Sequence, residues 1–167
     1  MSFIGIICES KNENYIKQIL SKNFKQETVI VFNNENIENM KNITFETIVI
    51  TSKDSKILYK RQIVEHILLK AKYLIVNEDE EINLNIDKNQ KLNVITYGFS
   101  SKSMITASSV KEESVMLCIQ SDIKDIKENI IEPQEINIQK LSKKTTTYIL
   151  MGLATLLLMY GINSPKL

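Results

Sequence analysis

Short apolar runs alternate with amphipathic stretches along the first half of the chain. The apolar runs are typical of buried strands, and apolar residues at helical spacing are typical of helices that cover a sheet. The predicted strands are residues 3–8, 28–32, 47–51 and 73–76. The predicted helices are residues 11–22 and 56–70, and an Asn-rich stretch with one helical turn covers residues 33–42. This alternation predicts crossover connections and a mostly parallel sheet.

The second half changes character, because strand patterns follow one another without helices between them. The predicted strands there are residues 92–97, 104–110, 115–120 and 135–138. Consecutive strands with short links indicate a small antiparallel sheet. We therefore predict an α/β fold, with a mostly parallel central sheet flanked by helices and a small antiparallel sheet in the second half. The length of 167 residues suits one domain over residues 1–167.

Residues 145–162 read TTTYILMGLATLLLMYGI and carry no charge. Two interpretations stay open. As a membrane anchor, this helix would be about 27 Å long, slightly short of a hydrocarbon core of about 30 Å. As part of a soluble fold, it would be a helix buried on nearly all sides, and its four threonines and two glycines favour this second interpretation.

Charge and composition narrow the functional classes. The formal net charge is +1, which argues against a large nucleic-acid footprint. Cys8 and Cys118 lie far apart in apolar runs, so we predict buried free thiols in a reducing compartment. The first residues, MSFIGIICES, lack the basic start and long apolar run of a signal peptide, which favours the cytoplasm. The single histidine, His66, is interpreted as a surface residue or a satisfied structural one, without a cluster for zinc or for nucleophilic catalysis.

Three stretches in order resemble the central, ATP-binding domain of the Mur ligases, which join amino acids to peptidoglycan precursors. They are AKYLIVNEDEE (residues 71–81), VITYGFSSKSMITASSV (94–110) and GLATLLLMYGINSPKL (152–167). The opening FIGIICESKNENYIKQIL is similar to the first strand, loop and helix of that family. The resemblance covers nearly the whole chain, except that a long segment of the family is missing between Leu20 and Val29. It also favours a buried C-terminal helix.

The phosphate-binding loop of the family reads Gly-x-x-Gly-x-x-Gly-Lys-Thr/Ser, in which backbone N–H groups and the lysine hold phosphates. Here only Gly5 remains of the three glycines. Cys8 and Lys11 replace the other two, and Asn12 replaces the lysine. Glu13 stands at the hydroxyl position and brings negative charge. The resemblance therefore implies a loop that has lost its phosphate-binding residues, with Lys11 as a partial substitute.

The other functional positions of the family are also replaced. Residues 51–55 lack the histidine of the second-metal segment, and residues 30–36 lack its metal-binding Glu-x-Ser-Ser. The carbamoylated lysine corresponds to Val64, and the adenine-binding asparagines correspond to Thr146 and Ile149. Asn77 and Asp79 match the family. The remnant nucleotide site implied by the resemblance therefore consists of Gly5, Lys11, Asn12, Asn77 and Asp79.

The leading hypothesis is a non-catalytic domain, similar to the centre of the Mur ligases, that acts as a binding or scaffold protein. Its expected partner is another protein or a second copy of the chain. No cofactor is expected, and ATP with Mg²⁺ is the ligand only if the remnant site functions. The alternatives are a nucleotide-binding enzyme, with an altered pocket or with a partner that supplies missing domains, and a tail-anchored membrane protein using residues 145–162.

Overall fold

The computed structural model describes residues 3–51, 60–80, 82–87, 89–142, 145–163, 165 and 167. These residues divide into two compact units. The first unit is Met1–Leu74 with Glu80–Val94, and the second unit is Ile75–Asp79 with Ile95–Leu167. A single domain over residues 1–167 stays a prediction.

Ten strands and three α-helices are found in the described residues. The strands are β1 (Phe3–Ile7), β2 (Thr28–Phe32), β3 (Phe45–Ile50), β4 (Tyr73–Asn77), β5 (Asn93–Tyr97), β6 (Ile105–Val110), β7 (Ser114–Ile119), β8 (Ile123–Lys124), β9 (Ile130–Ile131) and β10 (Gln134–Gln139). The helices are α1 (Glu13–Asn23), α2 (Arg61–Leu68) and α3 (Thr147–Met159). Single 3-10 turns are formed by Ser10–Asn12 and Ile37–Met40.

Eight strands form one mixed sheet in the order β10-β7-β6-β5-β4-β3-β1-β2, and β8 and β9 form a separate two-stranded sheet. The predicted α/β class, with a mostly parallel central sheet and a small antiparallel sheet, is confirmed. Every strand predicted from the apolar pattern is present within two residues of its predicted ends. The pattern identifies them because alternate or continuous apolar positions must be buried against a covering layer.

In the first unit, β1 lies between β2 and β3 and pairs with both in parallel. Helix α1 buries one stripe of apolar residues, Ile16, Ile19 and Leu20. Helix α2 buries a similar stripe, Val64, Ile67 and Leu68. This spacing of three and four residues places the apolar side chains on one helix face. The predicted helix over residues 56–70 is thus confirmed from residue 61 to residue 68, while residues 56–59 lie outside the described residues.

In the second unit, the antiparallel strands extend the main sheet and do not form a separate layer. Strand β6 pairs in parallel with β5 at Tyr97 and Ile105, and β7 then pairs antiparallel with both β6 and β10. The separate small sheet consists of β8 and β9, which the sequence did not predict. Strands of two residues are too short to produce a periodic pattern.

Helix α3 is buried at every position from residue 149 to residue 159, which confirms the core interpretation of this segment. Its buried hydroxyl is satisfied internally, because Thr155 Oγ1 donates to the Met151 carbonyl at 2.8 Å. Gly152 allows the helix to approach Tyr97, since a Cβ there would lie 3.0 Å from the tyrosine hydroxyl. The helix ends at Met159, and Gly161 closes the end with φ of 79° and an N–H that donates to the Leu158 carbonyl at 2.9 Å.

Within the described part of the chain, no helix combines the length and the apolar character needed to cross a membrane.

Candidate functional site

Gly5 lies within β1 and not in the turn that follows this strand. A Cβ at this position would lie 2.6 Å from Ile48 Cδ1 and 2.8 Å from Phe45 Cδ1. Both of these side chains are fully buried. The missing side chain of Gly5 therefore makes room for the core of the first unit, which is a packing role rather than a close approach to a ligand.

In the β1–α1 turn, defined here as residues 8–13, backbone N–H groups donate to carbonyl groups of the chain itself. Cys8 donates to the Phe32 carbonyl at 3.0 Å, and Asn12 donates to the Glu9 carbonyl at 2.9 Å. The N–H of Glu13 donates to the Ser10 carbonyl. A phosphate site at the start of a helix needs N–H groups that point towards the ligand. Three N–H groups of this turn are instead engaged by carbonyl groups of the chain.

The carboxylate of Glu13 occupies the first turn of α1. It accepts hydrogen bonds from Lys17 Nζ and, at 2.7 Å, from Asn33 Nδ2. The Lys17 hydrogen bond lowers the pKa of Glu13, and the Asn33 hydrogen bond adds to it, against the opposing effect of burial. A negative charge here is favourable beside the positive end of the helix dipole. The same charge repels a phosphate group.

The cationic and nucleophilic side chains of this turn are also engaged or buried. Lys11 Nζ lies 2.6 Å from Glu9 Oε2, and the lysine side chain is 73% exposed. The Cys8 side chain is buried, and burial, followed by the charge of Glu13, raises the pKa of its thiol to about 12. The Cys8 thiol therefore stays protonated and unreactive at neutral pH.

In the second unit, Asp79 follows β4 in a turn stabilised by Asn77. The Asn77 side chain is buried, and its Oδ1 accepts the N–H of Asp79 at 3.0 Å. The Asp79 carboxylate accepts the N–H of Phe99 at 2.6 Å and the N–H of Ser100 at 2.9 Å. The hydroxyl of Tyr148 donates to the same carboxylate at 3.0 Å. We call Asp79, Phe99, Ser100 and Tyr148 the Asp79 latch.

The Asp79 latch connects three segments of the second unit: the turn after β4, the loop after β5 and the start of α3. The rings of Phe99 and Tyr148 meet edge to face, with centroids 5.2 Å apart. Gly98 lies directly behind the carboxylate, because a Cβ there would come within 2.9 Å of Asp79 Cγ and both oxygens. The Asp79 carboxylate is therefore the shared acceptor of this cluster, and three donors of the chain itself hold it in place.

The five residues of the predicted nucleotide site are divided between the two units. Gly5, Lys11 and Asn12 belong to the first unit, whereas Asn77 and Asp79 belong to the second. Lys11 and Asn12 share the β1–α1 turn, and Asn77 and Asp79 share one hydrogen-bonded turn. Their participation in nucleotide binding stays a prediction.

The positions that the resemblance relates to metal binding, lysine carbamoylation and adenine binding have local structural roles. Val64 is buried in α2, and Ile149 is buried in α3. Thr146 is the N-cap of α3, and its side chain accepts the N–H of Ile149 at 3.4 Å. Thr51 donates its hydroxyl to the Ile7 carbonyl at 3.2 Å, while residues 52–55 of the metal segment lie outside the described residues. Among the residues that the structure describes, no three His, Cys, Asp or Glu side chains group as metal ligands.

Two further predictions concern single residues. His66 is exposed in the last turn of α2, which agrees with the first of its two interpretations, a surface residue. Cys118 is a free thiol but only partly buried, because alternate residues of β7 face opposite sides of the sheet. Sequence reasoning missed Tyr148 as a partner of Asp79, since the two lie 69 positions apart. The only indication in the sequence was the hydroxyl of Tyr148 at the start of an otherwise apolar helix, where it needs a polar partner.

In comparisons with known proteins, no family model matches this chain and no curated protein matches it. The similarity to the Mur ligase centre therefore rests on the motifs quoted above.

Proposed function

We propose that this chain is a non-catalytic domain, similar to the centre of the Mur ligases, that acts as a binding or scaffold protein. Its expected partner is a protein and not a nucleic acid. The observation that carries this proposal is the β1–α1 turn, in which the chain itself engages the groups that a triphosphate would need. A domain that keeps the scaffold and lacks the phosphate-binding groups is suited to protein binding, although fold alone does not determine function.

Electrostatics support the same conclusion. The Glu13 carboxylate stays ionised at the start of α1, and Lys11 is paired with Glu9. A bound triphosphate would have to approach Glu13 and separate Lys11 from Glu9. Both steps oppose binding, because like charges repel and a broken ion pair must be compensated. The Cys8 thiol is protonated and buried, so it supplies no nucleophile either.

Thermal unfolding of the full chain with Mg-ATP tests this proposal. We expect the same Tm with millimolar Mg-ATP, with Mg²⁺ alone and with ATP plus EDTA. A ligand present at about 100 times its Kd would stabilise the fold by about 2.7 kcal/mol, which is several degrees for a domain of this size. The absence of a shift, confirmed by titration calorimetry, is the expected result.

A rise in Tm that requires magnesium would contradict the proposal and favour a nucleotide-binding enzyme. Lys11→Ala and Lys102→Ala form the matched pair for that outcome, because both lysines are exposed and only Lys11 belongs to the predicted site. A shift that is lost in Lys11→Ala and kept in Lys102→Ala would assign the nucleotide to the β1–α1 turn. A shift kept in both variants would place the nucleotide elsewhere.

A further inference from the structure

Strand β2 is an outermost strand of the eight-stranded sheet, and among the described residues β1 is its only neighbour there. An edge strand carries one row of N–H and C=O groups that the sheet leaves unpaired. Most edge strands are protected by a charged residue, a proline, a bulge or a covering segment.

The β1 ladder determines which groups of β2 point outward. Cys8 donates to the carbonyl of Phe32, so Phe32 directs its backbone groups towards β1. Because backbone groups alternate along a strand, Val29 and Val31 direct theirs to the free side. None of the described groups forms a hydrogen bond with the N–H or C=O of these two valines. The free side of β2 therefore carries two donors and two acceptors without a described partner, those of half-buried Val29 and those of Val31, which is 6% exposed.

No protective feature is found within β2. The strand reads TVIVF, without charge or proline, and its pairing with β1 runs through all five residues without a bulge. The opposite edge strand, β10, reads QEINIQ and is polar. Beside the end of β10, Leu167 donates to the Gln139 carbonyl at 3.1 Å, so a segment of the chain covers that position. The two edges thus differ in both chemistry and cover.

The free edge of β2 is self-complementary. In an antiparallel pair of two β2 strands centred on Ile30, Val29 of one copy lies opposite Val31 of the other. Opposite residues of this kind exchange both hydrogen bonds, so the two copies would form four N–H···O bonds. The next outward position, Asn33, is closed, because its N–H donates to Asn36 Oδ1 at 2.8 Å and its carbonyl accepts the N–H of Ile37 at 3.0 Å.

One pair of charges on either side of β2 matches the same antiparallel arrangement. Exposed Lys25 and Glu27 precede the strand and exposed Glu35 follows it; in the register centred on Ile30, Lys25 lies opposite Glu35 and Glu27 lies opposite the uncharged Asn33. Neither Lys25 nor Glu35 forms an ion pair within the described part of the chain. Antiparallel pairing brings the start of one strand beside the end of the other. Lys25 of each copy would then lie beside Glu35 of the other copy, and the attraction of these opposite charges favours this orientation.

We propose that this chain forms a two-fold symmetric dimer in which the β2 strands of two copies pair antiparallel around Ile30. The dimer joins two sheets through the four outward groups of Val29 and Val31, and the Lys25–Glu35 pairs set the orientation. This inference adds a partner, a second copy, to the proposed binding role. It does not depend on the absence of nucleotide binding, because the outward edge of β2 does not involve the β1–α1 turn.

Sedimentation velocity of the full chain at concentrations up to about 200 µM tests the dimer, because this range populates complexes with a micromolar Kd. We expect a reversible monomer–dimer equilibrium. Val29→Pro removes an outward N–H and adds a ring on the free side, while the N–H groups that bond to β1 are kept. Its dimer Kd should rise at least about tenfold, because two of the four hydrogen bonds are lost.

Charge reversal provides a test that leaves the backbone unchanged. Lys25→Glu and Glu35→Lys should each raise the dimer Kd about three- to tenfold, and the double variant should restore it. Lys102→Glu is the matched control, since it changes the net charge equally at an exposed lysine of the second unit. A chain that stays monomeric at about 200 µM would overturn the proposal. So would a dimer that neither Val29→Pro nor the charge reversals weaken.

Discussion

Two carboxylates, Glu13 and Asp79, follow buried strands, and the donors that hold them differ. The Glu13 carboxylate is held by two side chains, those of Lys17 and Asn33. The Asp79 carboxylate is held by two backbone N–H groups and by the Tyr148 hydroxyl. Of the Glu13 donors, Lys17 lies on an exposed helix surface and Asn33 is buried after β2, whereas the two backbone donors of Asp79 are fixed by the fold.

This difference separates an electrostatic role from a structural one. Glu13 contributes a charge at the start of α1, and its loss leaves the turn closed by backbone hydrogen bonds. Asp79 holds together three segments of the second unit that are distant in sequence. We therefore expect changes at the Asp79 latch to lower stability more than changes at Glu13. Changes at Glu13 should act mainly on the pH dependence.

The largest effect is expected from Gly98→Ala, which breaks the Asp79 latch by steric overlap. The new Cβ would lie 2.9 Å from Asp79 Cγ, so the carboxylate has to move away from its donors. We expect a loss of about 2–3 kcal/mol in the free energy of unfolding, measured by urea denaturation. In an Asp79→Ala background the same substitution should cost less, because the overlap is removed and only the backbone strain of alanine at a φ of 159° remains. Equal costs in both backgrounds would contradict the proposed contact.

A smaller effect is expected from Tyr148→Phe, which removes one donor of the latch and keeps the ring contact with Phe99. The loss should be about 1 kcal/mol, the usual contribution of one hydrogen bond. In an Asp79→Ala background the loss should be smaller, since this acceptor is absent. A cost that is the same in both backgrounds would contradict a contribution from the Tyr148–Asp79 hydrogen bond.

The smallest effect at neutral pH is expected from Glu13→Gln, which keeps the acceptor for Asn33 and removes the charge. The partly exposed Glu13–Lys17 pair should be worth about 0.5 kcal/mol at pH 7. Because the pKa of Glu13 is lower in the folded chain than its usual value of 4.5, the unfolded chain binds more protons between these two values. This stabilisation is therefore present above pH 4.5 and is lost as the pH falls through the folded pKa.

Unfolding measured from pH 7 to about pH 3 gives the corresponding test. The stability difference between the natural chain and Glu13→Gln should shrink on acidification and disappear below the folded pKa. Ser10 offers a neighbouring control, because Ser10→Ala keeps every charge and the backbone carbonyl that Glu13 uses. A difference that is constant over this pH range would show that the charge of Glu13 contributes nothing.

Local patterns of the sequence account for most of the elements. The run TVIVF predicts β2 with its observed ends, because a β-branched segment between polar turns has one favourable conformation. Helix α1 begins at Glu13, two residues later than predicted, since residues 10–12 form a tighter 3-10 turn. The buried helix α3 is evident from its lack of charge, and Gly161 marks its end.

The sequence predicted less of the candidate site than of the fold. Motif similarity grouped Gly5 with Lys11 and Asn12, although the structure places Gly5 within β1 against Phe45 and Ile48. It selected Asp79 but could not identify the donors that hold it. A motif records which residue types recur at a spacing, and it carries no information about which distant group fills the space beside them.

By itself, the sequence determined the alternation of strands and helices, the α/β class and the apolar character of α3, because these follow from local periodicity and burial. Only the tertiary structure decided that the later strands extend the main sheet through the β5–β6 pair, that Gly5 serves packing, and that Tyr148 meets Asp79 across 69 positions. Such long-range pairings depend on strand register and on the shape of the packed core. Neither of these is encoded in the local pattern of apolar and polar residues.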